Sequence, residues 1–175
     1  GPEQRLWVGT QNGLNRMRPD GTFERIQTDN PVVRDLFVDS NGRLWVGTFA
    51  GLAVWNEEEQ AFRAVDYGWS SPYVMSIAED NEGRLILGTW ADDRNEGGLV
   101  VVDHDSERYR EYHFADNRVY TVLIGDDGTR WIGTWGGGLY AITPDGRRFT
   151  FSGDDDGPAS PVLYSLFEDA AGLIW

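Results

Sequence analysis

The sequence predicts an all-β fold built from tandem four-stranded repeats, and two observations carry that expectation. A four-residue run returns as Trp7-Val8-Gly9-Thr10, Trp45-Val46-Gly47-Thr48, Ile86-Leu87-Gly88-Thr89 and Trp131-Ile132-Gly133-Thr134, and Trp175 stands where a fifth copy would open. The key positions 7, 45, 86, 131 and 175 are 38, 41, 45 and 44 residues apart, a period typical of solenoids and propellers. No segment keeps a helical period, whereas short runs of β-branched and large apolar residues alternate with Gly- and Asp-bearing turns.

Each repeat divides into four strand-like segments. The first is an apolar inner strand: Val33 to Asp39, Val74 to Asp80, Val119 to Gly125 and Leu163 to Asp169. Tight turns follow, ending in Gly42, Gly83, Gly128 and Gly172, where glycine supplies the positive φ that a short hairpin needs. The turn delivers the Trp-bearing second strand. The third strand opens on a Gly-Leu pair, Gly13-Leu14, Gly51-Leu52, Gly98-Leu99 or Gly138-Leu139. The fourth carries one aromatic: Phe23, Phe62, Tyr109 or Phe149. Four antiparallel strands per period and no helix describe a β-propeller blade. The repeats run over about 5–31, 32–72, 73–117 and 118–161, followed by a closing segment at 162–175, all within one array over 1–175. A small residue pair after the Trp lets neighbouring blades approach, so Trp7, Trp45 and Trp131 read as packing residues.

Composition narrows the function. At 175 residues with 40% hydrophobic content the chain can bury a sizeable core. Its net charge of −14, from 29 acidic residues against 15 arginines and no lysine, argues against nucleic acid as a partner. The absence of Cys removes disulfides, zinc-thiolate sites and thiol catalysis. No apolar run reaches the roughly 20 residues of a membrane-spanning helix, so no membrane contact is expected of this chain. Gly1-Pro2 resembles a protease-cleavage scar and Gln4 replaces a turn glycine, so 1–4 read as a boundary.

The order of inner strand, Asp-x-x-Gly, x-Leu-Trp-Val-Gly-Thr, short loop and Gly-Leu resembles the two-component regulator propeller repeat, found in periplasmic sensor regions of bacterial hybrid histidine kinases. Residues Val33 to Thr48 carry the likeness most fully. Gly125 for the turn Asp, Ile86 for the Trp and a first repeat without its inner strand depart from the pattern. The resemblance implies a periplasmic, non-catalytic, sensor-type ectodomain module that binds a ligand such as a glycan and serves as an interaction scaffold. It also implies rings larger than four blades.

The closing segment supplies the inner strand that the first repeat lacks, so the ends are complementary. Two closures follow: two chains forming an eight-bladed ring by strand exchange, or a four-bladed ring closed within one chain. The first is favoured by the small rotation between blades in larger rings, making a second copy of the chain the expected partner. A truncated or engineered repeat array that self-assembles without any ligand is a third reading of the same ends.

The loops before the inner strand and after the Trp strand open on one face, the expected channel mouth. Residues following Gly-Thr are Gln11, Phe49, Trp90 and Trp135, and the second inner-strand position holds Arg34, Met75, Tyr120 and Tyr164. An insertion over 90–97 adds Trp90, Asp92 and Arg94, and Trp69 lies on an adjoining loop. The candidate ligand-binding set is therefore Arg34, Phe49, Trp69, Trp90, Asp92, Arg94, Tyr120, Trp135 and Tyr164. Aromatic planes beside polar groups suit a sugar, and interblade packing explains the same residues equally well. No metal or other cofactor is expected; Asp154, Asp155 and Asp156, and Asp103, Asp105 and Glu107, are weak calcium candidates lacking the spacing of a twelve-residue calcium loop. His104 and His113 lack a second-histidine spacing. With no nucleophile motif and Asp35 as the one carboxylate placed near the mouth, a hydrolase or lyase is the least supported alternative.

Overall fold

The computed structural model describes residues 6–90, 92, 96–153 and 157–175. Among the described residues it contains fifteen strands and no helix. The first sheet holds β1 (Trp7–Thr10), β2 (Gly13–Met17) and β3 (Phe23–Ile26). The second runs β4 (Val33–Val38), β5 (Leu44–Thr48), β6 (Gly51–Asn56), β7 (Ala61–Val65). The third is β8 (Tyr73–Glu79), β9 (Leu85–Trp90), β10 (Gly97–Asp103), β11 (Arg108–Tyr112). The fourth is β12 (Val119–Ile124), β13 (Arg130–Thr134), β14 (Leu139–Ile142), β15 (Arg148–Phe151). Every sheet is an antiparallel meander in chain order, as the repeat pattern predicts.

The hairpin turns between the first two strands of a blade have one design. In each of Asp39–Arg43, Asp80–Arg84, Gly125–Thr129 and Asp169–Leu173, the first residue's N–H donates to the fifth residue's carbonyl, and the glycine N–H donates back to the first carbonyl. Gly42, Gly83, Gly128 and Gly172 take φ between 76° and 80°, a region that disfavours any side chain.

The glycine of the Trp-Val-Gly-Thr run meets a different demand. A Cβ on Gly47 would stand 2.9 Å from Val74 Cγ1, one on Gly88 2.8 Å from Val119 Cγ1, and one on Gly9 2.5 Å from Val33 Cγ1. Each glycine therefore seats an apolar residue at the start of the next blade's inner strand, and Gly133 faces Leu163 of the closing segment as well as Thr121 of its own blade. Three apolar layers fill the gaps between sheets. Leu14, Val33 and Val46 lie between the first two, Trp45, Leu52, Val74, Ile77 and Leu87 between the second and third, and Ile86, Leu99, Val119 and Ile132 between the third and fourth.

The ring stays open. β1 pairs with β2 alone, and among the described residues no hydrogen bond joins the closing segment to β1. The four-bladed ring closed within one chain is thus corrected: four blades, each docked by its inner strand on the blade before, leave the first and last apart. The closing segment forms its Asp-x-x-Gly turn and a single Glu168–Ile174 bridge in place of two strands. Leu163 N–H donates to Thr134 O at 3.0 Å, docking the segment on blade four. Tyr164, Phe167, Leu173 and Trp175 remain exposed on it.

Candidate functional site: an aromatic channel mouth

The site is built on a local irregularity shared by the inner strands. β4, β8 and β12 each shift register by one residue, between Val33 and Asp35, Val74 and Ser76, and Val119 and Thr121. The skipped residues are Arg34, Met75 and Tyr120, so the bulge leaves these side chains outside the ladder at the strand's entry. The residue after the bulge turns to the neighbouring blade instead. Asp35 Oδ2 accepts the Ile77 N–H at 2.7 Å, and Ser76 Oγ accepts the Val122 N–H at 3.2 Å. Asp35, read from sequence as a lone carboxylate near the mouth, is an interblade strut, and burial pushes its pKa up despite the two N–H bonds it accepts.

Loops after the second strand supply the other half. The threonine of each run donates to a carbonyl across the loop: Thr48 to Gly51 O at 3.3 Å, Thr89 to Gly98 O at 3.1 Å and Thr134 to Gly138 O at 3.0 Å. Thr48 and Thr134 also accept loop N–H groups, from Ala50 and Gly137. This clamp fixes the backbone where Phe49, Trp90 and Trp135 emerge.

Six of the predicted residues meet in one network. Trp90 and Trp135 lie 5.2 Å apart between ring centroids, Tyr120 touches both at 5.8 and 5.6 Å, and Tyr164 packs edge-on against Tyr120 and Trp135, each at 5.6 Å. Arg34 Nη2 donates to Tyr120 Oη at 2.5 Å, and its guanidinium also lies over the Phe49 ring. Tyr73, which the sequence did not single out, packs 5.1 Å from Phe49. Arg118 sits 5.8 Å over Trp90 and is ion-paired with Asp116. Arg34 has no carboxylate partner among the described residues, and its Nε is buried without a hydrogen bond.

The remaining predicted positions fall elsewhere. Trp69 is buried between blades two and three, its ring against Tyr67 and Tyr109. Asp92 is exposed on the inserted loop. Arg94 lies outside the described residues, as do Asp154, Asp155 and Asp156. Asp103 accepts the Ser106 N–H, and Asp105 lies 3.4 Å from Arg43. Among the described residues no three acids or histidines converge on a common point. His104 is packed edge-on against Trp45 and bonded to the Tyr67 hydroxyl, and burial with nearby Arg43 lowers its pKa.

Radial docking of successive four-stranded meanders, with bulged inner strands opening on one mouth, defines an array of β-propeller blades. Residues 27–50 and 68–91, two segments within the second and third repeats, match the two-component regulator propeller family. No curated protein matches its sequence. Its fold is similar over 98% of its length to the extracellular domain of a hybrid two component system from B. thetaiotaomicron, with a TM-score of 0.82, 19% identity and 24% of that chain covered. It is likewise similar over its whole length to virginiamycin B lyase from Staphylococcus aureus, with a TM-score of 0.75, 15% identity and 60% of that chain covered. An ancestral GH74 enzyme matches 86% of the chain, with a TM-score of 0.69, 17% identity and 23% of its own length covered. The chain thus spans about a quarter of the extracellular domain it resembles.

Proposed function

We propose that this chain is a ligand-binding, non-catalytic module of an extracytoplasmic sensor, and that the aromatic mouth takes a saccharide. The observation that carries the reading is the half-exposed cluster of Trp90, Tyr120, Trp135 and Tyr164 beside the carboxylate-free Arg34. Stacked sugar faces gain from aromatic area, while the guanidinium and tyrosine hydroxyls give directional bonds to ring hydroxyls. The family match over residues 27–50 and 68–91 and the likeness to a two component system's extracellular domain support a sensing role over an enzymatic one. Titration of tryptophan fluorescence with a panel of soluble oligosaccharides tests it. At least one should bind, and Trp90→Ala with Trp135→Ala should abolish that binding while leaving the β-sheet circular dichroism unchanged. A panel without any binder, or binding that survives both substitutions, overturns the reading.

A second reading rests on the open edges. β1 presents an unpaired strand edge with Leu6 and Val8 exposed, and the closing segment presents Phe167, Leu173 and Trp175. A second copy of the chain joining these edges makes the eight-bladed ring. Light scattering decides: a particle of twice the 19.7 kDa chain mass supports it, and a monomer at all concentrations rejects it.

A further inference from the structure

Two departures from the repeat lie against each other. The residue before the key Trp is Leu6, Leu44, Leu85 or Ile174 elsewhere but Arg130 in blade four, and the key Trp itself is Ile86 in blade three. In blade two the turn carboxylate Asp39 holds Trp45 Nε1. Asp80, with no indole to hold, receives Arg130 Nη2 at 3.0 Å across the blade boundary and Arg84 Nη2 at 2.8 Å from its own turn. One carboxylate thus bridges two guanidiniums at the floor of the gap between blades three and four.

The walls add further guanidiniums. Arg108 and Arg110 stand on alternate positions of β11 with Tyr112, hence on one face, and Arg148 of β15 lies 5.3 Å over the Tyr112 ring from the opposite blade. Among the described residues none of Arg108, Arg110 and Arg148 is ion-paired. Together with Arg84 and Arg130 they line a groove of about 560 Å³, within the size range of ligand sites. Its carboxylates are Glu82, Asp103 and Asp145; Glu82 is spent on Arg84, and Asp145 on Arg147. A third of the chain's 15 cations converge here in a protein of net charge −14. Guanidinium forks match tetrahedral oxyanions in geometry as well as charge.

We propose that this groove binds a phosphate or sulfate group carried by a small ligand, separately from the aromatic mouth. Arg84 and Arg130 hold the floor through Asp80, and Arg108, Arg110 and Arg148 supply the donors. Calorimetric titration at low salt with inorganic pyrophosphate, sulfate and citrate tests the assignment, on the wild type, on Arg110→Gln/Arg148→Gln and on Trp90→Ala/Trp135→Ala. Pyrophosphate or sulfate should bind once per chain, about tenfold or more weaker in the arginine variant and unchanged in the tryptophan variant. The stronger of the two oxyanions identifies phosphate or sulfate as the group. Absence of binding by both, equal binding in the arginine variant, or equally tight binding of citrate overturns it. Because Arg110 and Arg148 are exposed on outer strands, their loss should leave the thermal transition in place, which separates a lost site from a lost fold.

Discussion

Asp39 Oδ2 accepts the indole proton of Trp45 at 2.9 Å, and Asp169 Oδ2 holds Trp175 at the same distance. The first pair is buried between blades and the second is exposed, so the bond arises from the turn itself and does not wait for a neighbouring blade. Asp39 Oδ1 meanwhile accepts the N–H groups of Asn41 and Arg43, at 3.0 and 2.8 Å. One side chain closes the turn and fixes the rotamer of the largest core residue.

Replacing Asp39 by Ala should therefore cost about 2–4 kcal/mol, since it strands a buried indole donor and the Arg43 guanidinium. Urea unfolding measures it. A loss below about 1 kcal/mol would show that the Trp45 position is set by packing alone.

Acid should weaken the fold through the same carboxylates. Burial alone would raise Asp39 and Asp80, but bonds from Trp45 and Arg43 in the first case, and from Arg84 and Arg130 in the second, leave both below the usual value. Their contribution is complete above the unfolded carboxylate pKa of about 3.9 and fades as pH falls through the lower folded values. Asp35 has the opposite sign, its raised pKa making the charged form a burden as pH climbs past the ordinary carboxylate range. The stability gap between wild type and Asp39→Asn should shrink as the pH falls below about 4; a gap constant with pH contradicts the assignment.

Gly88→Ala should destabilise by about 1–3 kcal/mol, because its new methyl would meet Val119 Cγ1 at 2.8 Å in a filled interblade layer. Gly88→Ala/Val119→Ala should recover part of that loss by removing the colliding group. Additive losses in a thermal-melt double-mutant cycle would contradict the seat between these two residues.

Tyr120→Phe keeps every ring contact of the mouth and removes the acceptor of Arg34 Nη2. The expected cost is about 1–2 kcal/mol, larger than for an exposed hydroxyl because a half-buried cation loses its hydrogen bond. Chemical denaturation reads this. A neutral outcome would mean that the Tyr120 and Phe49 faces alone hold the guanidinium.

The blade pattern could be read from the sequence because its elements are local. Each Asp-x-x-Gly turn, each Gly-Leu opening and each apolar inner strand lies within a few residues of what determines it. The mouth was partly readable: variation after a fixed Gly-Thr pointed to Phe49, Trp90 and Trp135, but nothing in one dimension separated Trp69, which packs inward. Interblade polar links escaped altogether. Glu79 accepts the Ser40 N–H and hydroxyl, and Glu168 accepts the Asp126 N–H, each some 40 residues away in sequence. The register shift that presents Arg34 and Tyr120 also left no sign, since a bulge changes the direction of a residue without changing its type. Closure was legible only as a preference against a ring of four blades within one chain, since rotation per blade is a property of packed pairs of sheets.

The seat formed by Gly9, Gly47, Gly88 and Gly133 faces one way along the chain, since each accepts a residue of the repeat that follows. Such an array has a polarity, with a socket at one end and a plug at the other. Its units are exchangeable only where socket and plug agree in volume. A blade added or deleted between Gly47 and Val74 should be tolerated when the new unit begins on Val and carries the same glycine, because the chain reads compatibility at one contact per junction.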